Sequence, residues 1–387
     1  MEKEIINATT CSVKKRINWI DELKGTILIF ICLGHLSGMV YPPPILKCLS
    51  EMLTMMGVPA FFFLSGMLYK ADGSEMSPFV LKKAKSLLIP YFMLSLLFTI
   101  FDPYTYCPQY LIDNLNYPRV GQLESFGLSN SYQASFEFFM GDFFCTLIGI
   151  SNRATLPLWF VFVLFFCAIV HHWFVSRIKL QPLIGLIVLF LSVLAIVLSY
   201  LRIGGYLKIG PFLMALFFYW LGTMYVQKMK DLEKLPSLVA IILLSFLLCA
   251  FFYIAPVIVH DVSFVNGVFP VKNGLLFFVC SISGILGFVL LFRCLSQLNC
   301  WGYNVLKGVL RNIARNSLII LAMHYWALVV YHIYISSYIP DAYQVLVALI
   351  LVVLVCVCSI ALFRTKLYMF IGGERAKQDL RTCLSIK

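Results

Sequence analysis

Apolar residues come in long unbroken runs, and polar positions are confined to the gaps between them. The runs are roughly 16 to 22 residues long and lack Asp, Glu, Lys and Arg, which is the length a helix needs to cross a hydrocarbon layer. They predict ten spans, at residues 24–40, 52–69, 87–101, 157–175, 182–201, 211–227, 237–256, 274–292, 316–335 and 343–363. The expected fold class is therefore all-α, a polytopic helical membrane protein with about ten transmembrane helices. No repeat or linker interrupts the pattern. A single transmembrane domain is expected over residues 1–363, with an outer loop at about 102–156 and a short basic tail at 364–387.

Composition sharpens this. Of 387 residues 61% are hydrophobic and only 12% charged, about half the usual soluble share, which excludes soluble enzymes, nucleic-acid binders and secreted disulfide scaffolds. The formal net charge of +12 is informative through its placement. With the N-terminus inside, 24 of the 30 basic residues fall on the cytoplasmic side, and only Lys47, Arg119, Arg153, Arg202, Lys208 and Lys272 fall outside. That bias predicts cytoplasmic N- and C-termini. Lys14, Lys15 and Arg16 precede the first run, but no small-residue cleavage site follows, so that span is expected to be retained. Thirteen cysteines carry no CxxC or Cys/His spacing suited to a metal, and none is expected.

The segment from Asp102 to Thr155 is the exception to short connections. It is 54 residues long, rich in Tyr and Phe, and sets Glu137 and Asp142 in an otherwise apolar stretch. Such a loop is usually functional, and a re-entrant or interfacial helix within it would keep the span count even.

Polar groups inside spans carry the chemistry, because each is costly in lipid and tends to face a cavity. In the first span Lys24 and His35 are eleven residues apart, so they share one helix face about 16 Å apart along the axis. Asp21, three residues before Lys24, can pair with it. His35 reads either as a helix-packing histidine or as a functional one. Lys82, Lys83 and Lys85 precede the third span, where they serve as ordinary anchors or as a phosphate site. Ser65, Trp159 and His324 are softer candidates that packing could explain. His171 and His172 lie near a cytoplasmic end and His260 in an outer loop, where solvated roles suffice.

Taken in order, these stretches resemble the acyltransferase-3 family, bacterial integral membrane O-acyltransferases of the fucose 4-O-acetylase-like kind. Asn18-Trp-Ile-Asp-Glu-Leu-Lys24-Gly25 through Gly34-His35 is similar to its signature of a basic residue, ten residues, then histidine. Val58-Pro-Ala-Phe-Phe-Phe-Leu-Ser-Gly-Met-Leu68 resembles its second-span motif, and Lys82-x-x-Lys85 with Ile89-Pro90-Tyr91 its basic pair. Leu158-Trp159-Phe160, the stretch from Phe217 to Gly222, and Asn316-Ser317 through His324 follow in the family's order. The chain departs from the pattern with lysine in place of arginine at 24, 82 and 85, and with Leu321 where tyrosine is common.

The resemblance implies transfer of an acyl group, most often acetyl, from acyl-CoA to a hydroxyl of a cell-surface or lipid-linked carbohydrate. Lys24, Lys82 and Lys85 would hold the phosphates of acetyl-CoA at the cytoplasmic face, while its thin pantetheine arm carries the thioester to His35. There imidazole would act as general base or as an acylated relay. Asp21 is expected alongside His35 as a catalytic residue, pairing with Lys24 or holding it in place. Ser65, Trp159, Glu137, Asp142 and His324 are the substrate-binding candidates, with membrane lipid as surroundings, no nucleic-acid partner, and a bacterial inner-membrane location. A glycan carrier or flippase suits ten spans and buried polar groups equally well. A membrane O-acyltransferase acting on lipids or proteins is a third class.

Overall fold

The structure, a computed structural model, describes residues 18–40, 42–70, 75–103, 139–140, 143–148, 156–204, 206–232, 237–298, 300–365 and 367. Among these, ten helical stretches are long and apolar enough to cross a membrane, and they coincide one for one with the ten expected runs. The protein is thus a multi-pass helical membrane protein. Its helices are α1 (Asn18–Met39), α2 (Pro44–Met67), α3 (Met76–Lys83), α4 (Ile89–Ile100), α5 (Trp159–Arg177) and α6 (Gln181–Tyr200). They continue as α7 (Ile209–Leu232), α8 (Ser237–Ile258), α9 (Val271–Ser296), α10 (Trp301–Arg315), α11 (Ser317–Tyr334) and α12 (Asp341–Thr365).

The helices run back and forth, so Asn18, Met67, Arg177, Ser296 and Thr365 mark one end of the bundle. Lys24, Lys82, Lys85, Arg177, Lys228, Arg293, Lys307, Arg311 and Arg364 lie there too, and it is called the basic end below. Met39, Pro44, Ile100, Trp159, Tyr200 and Val271 mark the far end.

α3 and α4 form one span because a π-helical turn, Ala84–Leu88, joins them, with the Ile89 amide donating to the Ala84 carbonyl. Pro90 has no N–H to give Ser86, and the wider turn accommodates that missing bond. Lys82 and Lys85 therefore sit within the helix.

α2 is the hub. It packs on α1, α7 and α9, and its segment from Phe61 to Leu64 is buried. Lipid tails are as apolar as leucine, so helix association here depends on close packing of small residues rather than on water exclusion. Two such contacts are reciprocal: a Cβ on Gly66 would overlap the Tyr219 carbonyl, and one on Gly222 would overlap that of Phe63. The second-span motif and the Phe217 to Gly222 stretch are thus two halves of one helix crossing. By contrast few residues of α6, α8 and α12 are buried, as for helices facing lipid.

α10 is amphipathic, too short and polar to be one of the spans, and packs across α1 at the basic end, where Leu310 leaves no room for a side chain on Gly25. The contact is polar as well. Arg311 donates to the fully buried Glu22, 2.9 Å from Nε to Oε1, and the Tyr303 hydroxyl reaches Oε2 at 3.5 Å. Burial, then the neighbouring carboxylate, raises the Tyr303 pKa, which keeps that hydroxyl a donor.

From the expected outer loop, residues 143–147 form a helical turn, and the Tyr91 hydroxyl donates to the Thr146 carbonyl at 3.0 Å. Tyr91 lies nine residues before Ile100, about 14 Å inside the far end of α4. This hydrogen bond ties the turn to α4. Glu137 and Asp142 lie outside the described residues.

Candidate functional site

Helix α1 carries His35 one turn short of its far end. α11 brings two rings onto it: His324 at 5.4 Å between centroids, and Tyr325 edge-on at 5.1 Å. His324 is fully buried, and its Nδ1 lies 2.8 Å from the Ile320 carbonyl. A carbonyl only accepts, so Nδ1 carries the proton, and in the neutral ring Nε2 is a bare acceptor. Among the described residues Nε2 has no partner.

The other side of His35 is open. A cavity of about 320 Å³ is lined by His35, Ile31 and Gly34 of α1, Glu51, Thr54 and Val58 of α2, and His260, Ser263, Phe264 and Val265 from the α8–α9 connection. It sits at the far end, and its polar groups converge on a mostly apolar wall, the usual character of a small-molecule site. α1 and α2 are held in register here. A Cβ on Gly34 would meet Thr54, and one on Gly57 would meet Ile31. The same antiparallel register puts Ser65 about level with Lys24, near the basic end.

Behind the wall, Phe264 packs on Trp159 and Phe62, each with centroids 6.1 Å apart. Trp159 is buried and backs the cavity rather than lining it. Over its ring sits the ammonium of Lys208, 5.4 Å from the centroid and 2.9 Å from the Val265 carbonyl. Burial lowers the pKa of Lys208, because an ammonium there has lost much of its hydration.

The sequence candidates therefore divide between the two ends. His35 and His324 meet, and Trp159 stands behind their cavity wall. Asp21 is half-buried and fourteen residues from His35 on the same helix, about 21 Å away along its axis, beside half-buried Lys24. Lys82 and Lys85 are exposed on a segment packed against α5, whereas α1 packs on α2, α9, α10 and α11.

One expectation needs correction. His171 and His172 are not solvated: both are buried, with Nε2 of His171 3.3 Å from the Thr223 hydroxyl and Nδ1 of His172 2.9 Å from the Tyr69 hydroxyl. Phe79 stacks flat on His172 at 3.9 Å, and Lys83 lies over Phe79. They pack α3 to α5 because they stand more than a turn inside the end of α5 at Arg177. His260 is exposed, as expected, and also lines the cavity. Sequence reasoning missed Glu51 altogether. The apolar run begins at Met52, but the helix begins at Pro44 and carries Glu51 two turns inside.

A family model described as an acyltransferase domain matches residues 17–364. Neither the curated proteins nor the solved structures yield a match. The matched span runs from the start of α1 to the last turn of α12 and takes in every residue around His35, so the chain belongs to the acyltransferase-3 family of membrane proteins.

Proposed function

We propose that the protein transfers an acyl group, most simply acetyl, from acyl-CoA to a hydroxyl of a cell-surface or lipid-linked carbohydrate, with His35 as general base. One observation carries this reading: His35 is the imidazole that α1 presents to the cavity shared with Glu51 and His260, while its own helix leads back about 16 Å to Lys24 at the basic end. A donor and an acceptor entering from opposite ends would meet there. The basic end would face the cytoplasm of a bacterium across its inner membrane, in line with the charge bias.

In the proposed reaction His35 takes the proton of the sugar hydroxyl as its oxygen attacks the thioester carbonyl. The carbon–sulfur bond then breaks, and the coenzyme A thiolate leaves with the proton from imidazolium. General-base catalysis of this kind typically contributes ~100-fold to 10,000-fold. An acyl-histidine relay, in which His35 itself takes the acyl group and passes it to the hydroxyl, is the alternative route through the same cavity. Lys24, with Asp21 beside it, would hold the donor phosphates together with Lys82 and Lys85, and Ser65 would lie on the donor side. Glu51 and His260 join Glu137 and Asp142 as candidate partners of sugar hydroxyls.

Mass spectrometry of surface and lipid-linked glycans tests the reading. Cells with the protein should carry an ester that is absent without it and absent when only His35→Ala is supplied. Identical glycans in all three would refute an acyltransfer role and favour a carrier.

A further inference from the structure

A second cleft lies at the far end, beyond the wall of the His35 cavity. It encloses about 970 Å³ between the end of α6 and the start of α9, and is lined by Tyr200, Arg202, Asn266, Pro270, Val271 and Lys272 among others. The α8–α9 connection divides the two spaces: Phe264 and Val265 face the His35 cavity, and Asn266 to Val268 face the cleft.

The charges here are unusual. Among the described residues the basic side chains at the far end are Lys47, Arg202, Lys208 and Lys272, and two of them, Arg202 and Lys272, line this cleft. A third, Lys208, is buried against the same connection through Val265. Anchoring does not explain cations at this end, where membrane proteins carry few. Among the described residues no acidic side chain lines the cleft, and nearby Asp261 accepts from Asn273 instead. The lining also has an apolar flank, since Tyr200 is 75% and Val271 61% exposed on the outside of the bundle.

The framework is closely bonded. Phe269 N–H donates to the Ser199 hydroxyl at 2.7 Å, and Gly210 N–H to the Gly204 carbonyl at 2.8 Å. Gly267 adopts φ of 64°, and a Cβ there would lie 2.6 Å from the Gly204 oxygen. Arg202, Leu207 and Lys208 hold left-handed φ values of 59°, 49° and 56°, conformations that cost non-glycine residues energy and tend to persist at functional sites.

We infer that this cleft binds the phosphate of a membrane-borne amphiphile, with Arg202 and Lys272 on the phosphate and the chain lying along Tyr200 and Val271. On the acyl-transfer reading it holds the lipid-linked form of the acceptor, directing the sugar across the α8–α9 connection toward His35. An ordinary anionic headgroup shares the phosphate chemistry, and the experiment separates the two sources.

The test is binding to the purified full chain in neutral detergent, without donor, using farnesyl diphosphate as the lipid-diphosphate probe and phosphatidylglycerol as the headgroup probe. Saturable farnesyl diphosphate binding is expected, weakened about tenfold or more in the double variant Arg202→Gln, Lys272→Gln and unchanged in Lys47→Gln, a far-end cation outside the cleft. Preference for the diphosphate assigns the site to a lipid-linked acceptor. Equal binding of phosphatidylglycerol, lost in the same double variant, assigns it to headgroups and removes the acceptor role. Binding of both probes by the double variant as tightly as by the parent overturns the site. Because no transfer is measured, failure here leaves the acyl-transfer reading standing, and absence of transfer leaves the binding result readable.

Discussion

The imidazole of His35 on α1 packs against that of His324 on α11, centroids 5.4 Å apart, while His324 is pinned through Nδ1 to the Ile320 carbonyl. The pinned ring leaves Nε2 as an acceptor close to the proposed base. It can orient His35 or share its proton. His324→Leu should therefore lower turnover about tenfold, equivalent to about 1.4 kcal/mol of barrier, and leave donor affinity unchanged. Steady-state kinetics with a separate donor-binding measurement checks this. Unchanged turnover would make His324 a packing residue only.

Glu51 faces the same cavity from α2. A carboxylate accepting from sugar hydroxyls makes charge-assisted bonds worth roughly 1.5–3 kcal/mol each. Glu51→Gln should raise the acceptor KM about tenfold or more with little change in kcat. A fall in kcat at constant KM would instead give Glu51 a part in the chemical step.

The basic residues should not contribute equally to donor binding. Lys24 is half-buried on α1, whereas Lys82 and Lys85 are exposed and open to screening by salt. Calorimetric titration with coenzyme A should give about a tenfold loss for Lys24→Gln and smaller, salt-sensitive losses for Lys82→Gln and Lys85→Gln. Equal, salt-independent losses at all three would contradict this ranking.

Gly66 and Gly222 let α2 and α7 touch backbone to backbone. Gly66→Leu must push the helices apart and should cost roughly 1–3 kcal/mol or more. Gly38 has nothing within 4 Å of an added Cβ, so Gly38→Ala should be tolerated. Thermal unfolding in detergent distinguishes the two. Equal stability would mean that the crossing is not tight.

The ten spans were legible because length and hydropathy are local properties of the chain. α10 was not, since an amphipathic helix leaves no unbroken apolar run, and Lys307, Arg311 and Arg315 read only as interfacial charge. Glu22 and Arg311 are 289 residues apart, and nothing local announces their pairing. His35 stood out as an imidazole in an apolar helix. Its cavity did not, because Glu51 was cut off with the charged edge of its run and His260 comes from a distant connection. His171 and His172 misled because closeness to a helix end was taken for exposure, whereas α3 covers them.

Everything turns on His35 doing chemistry at its cavity. The most direct measurement is release of coenzyme A thiol from acetyl-CoA by purified protein supplied with a glycan acceptor, comparing the parent with His35→Ala at equal folded content. The account predicts acceptor-dependent release by the parent and a loss of at least ~100-fold in the variant, with donor binding retained. Release by His35→Ala at close to the parental rate would contradict it.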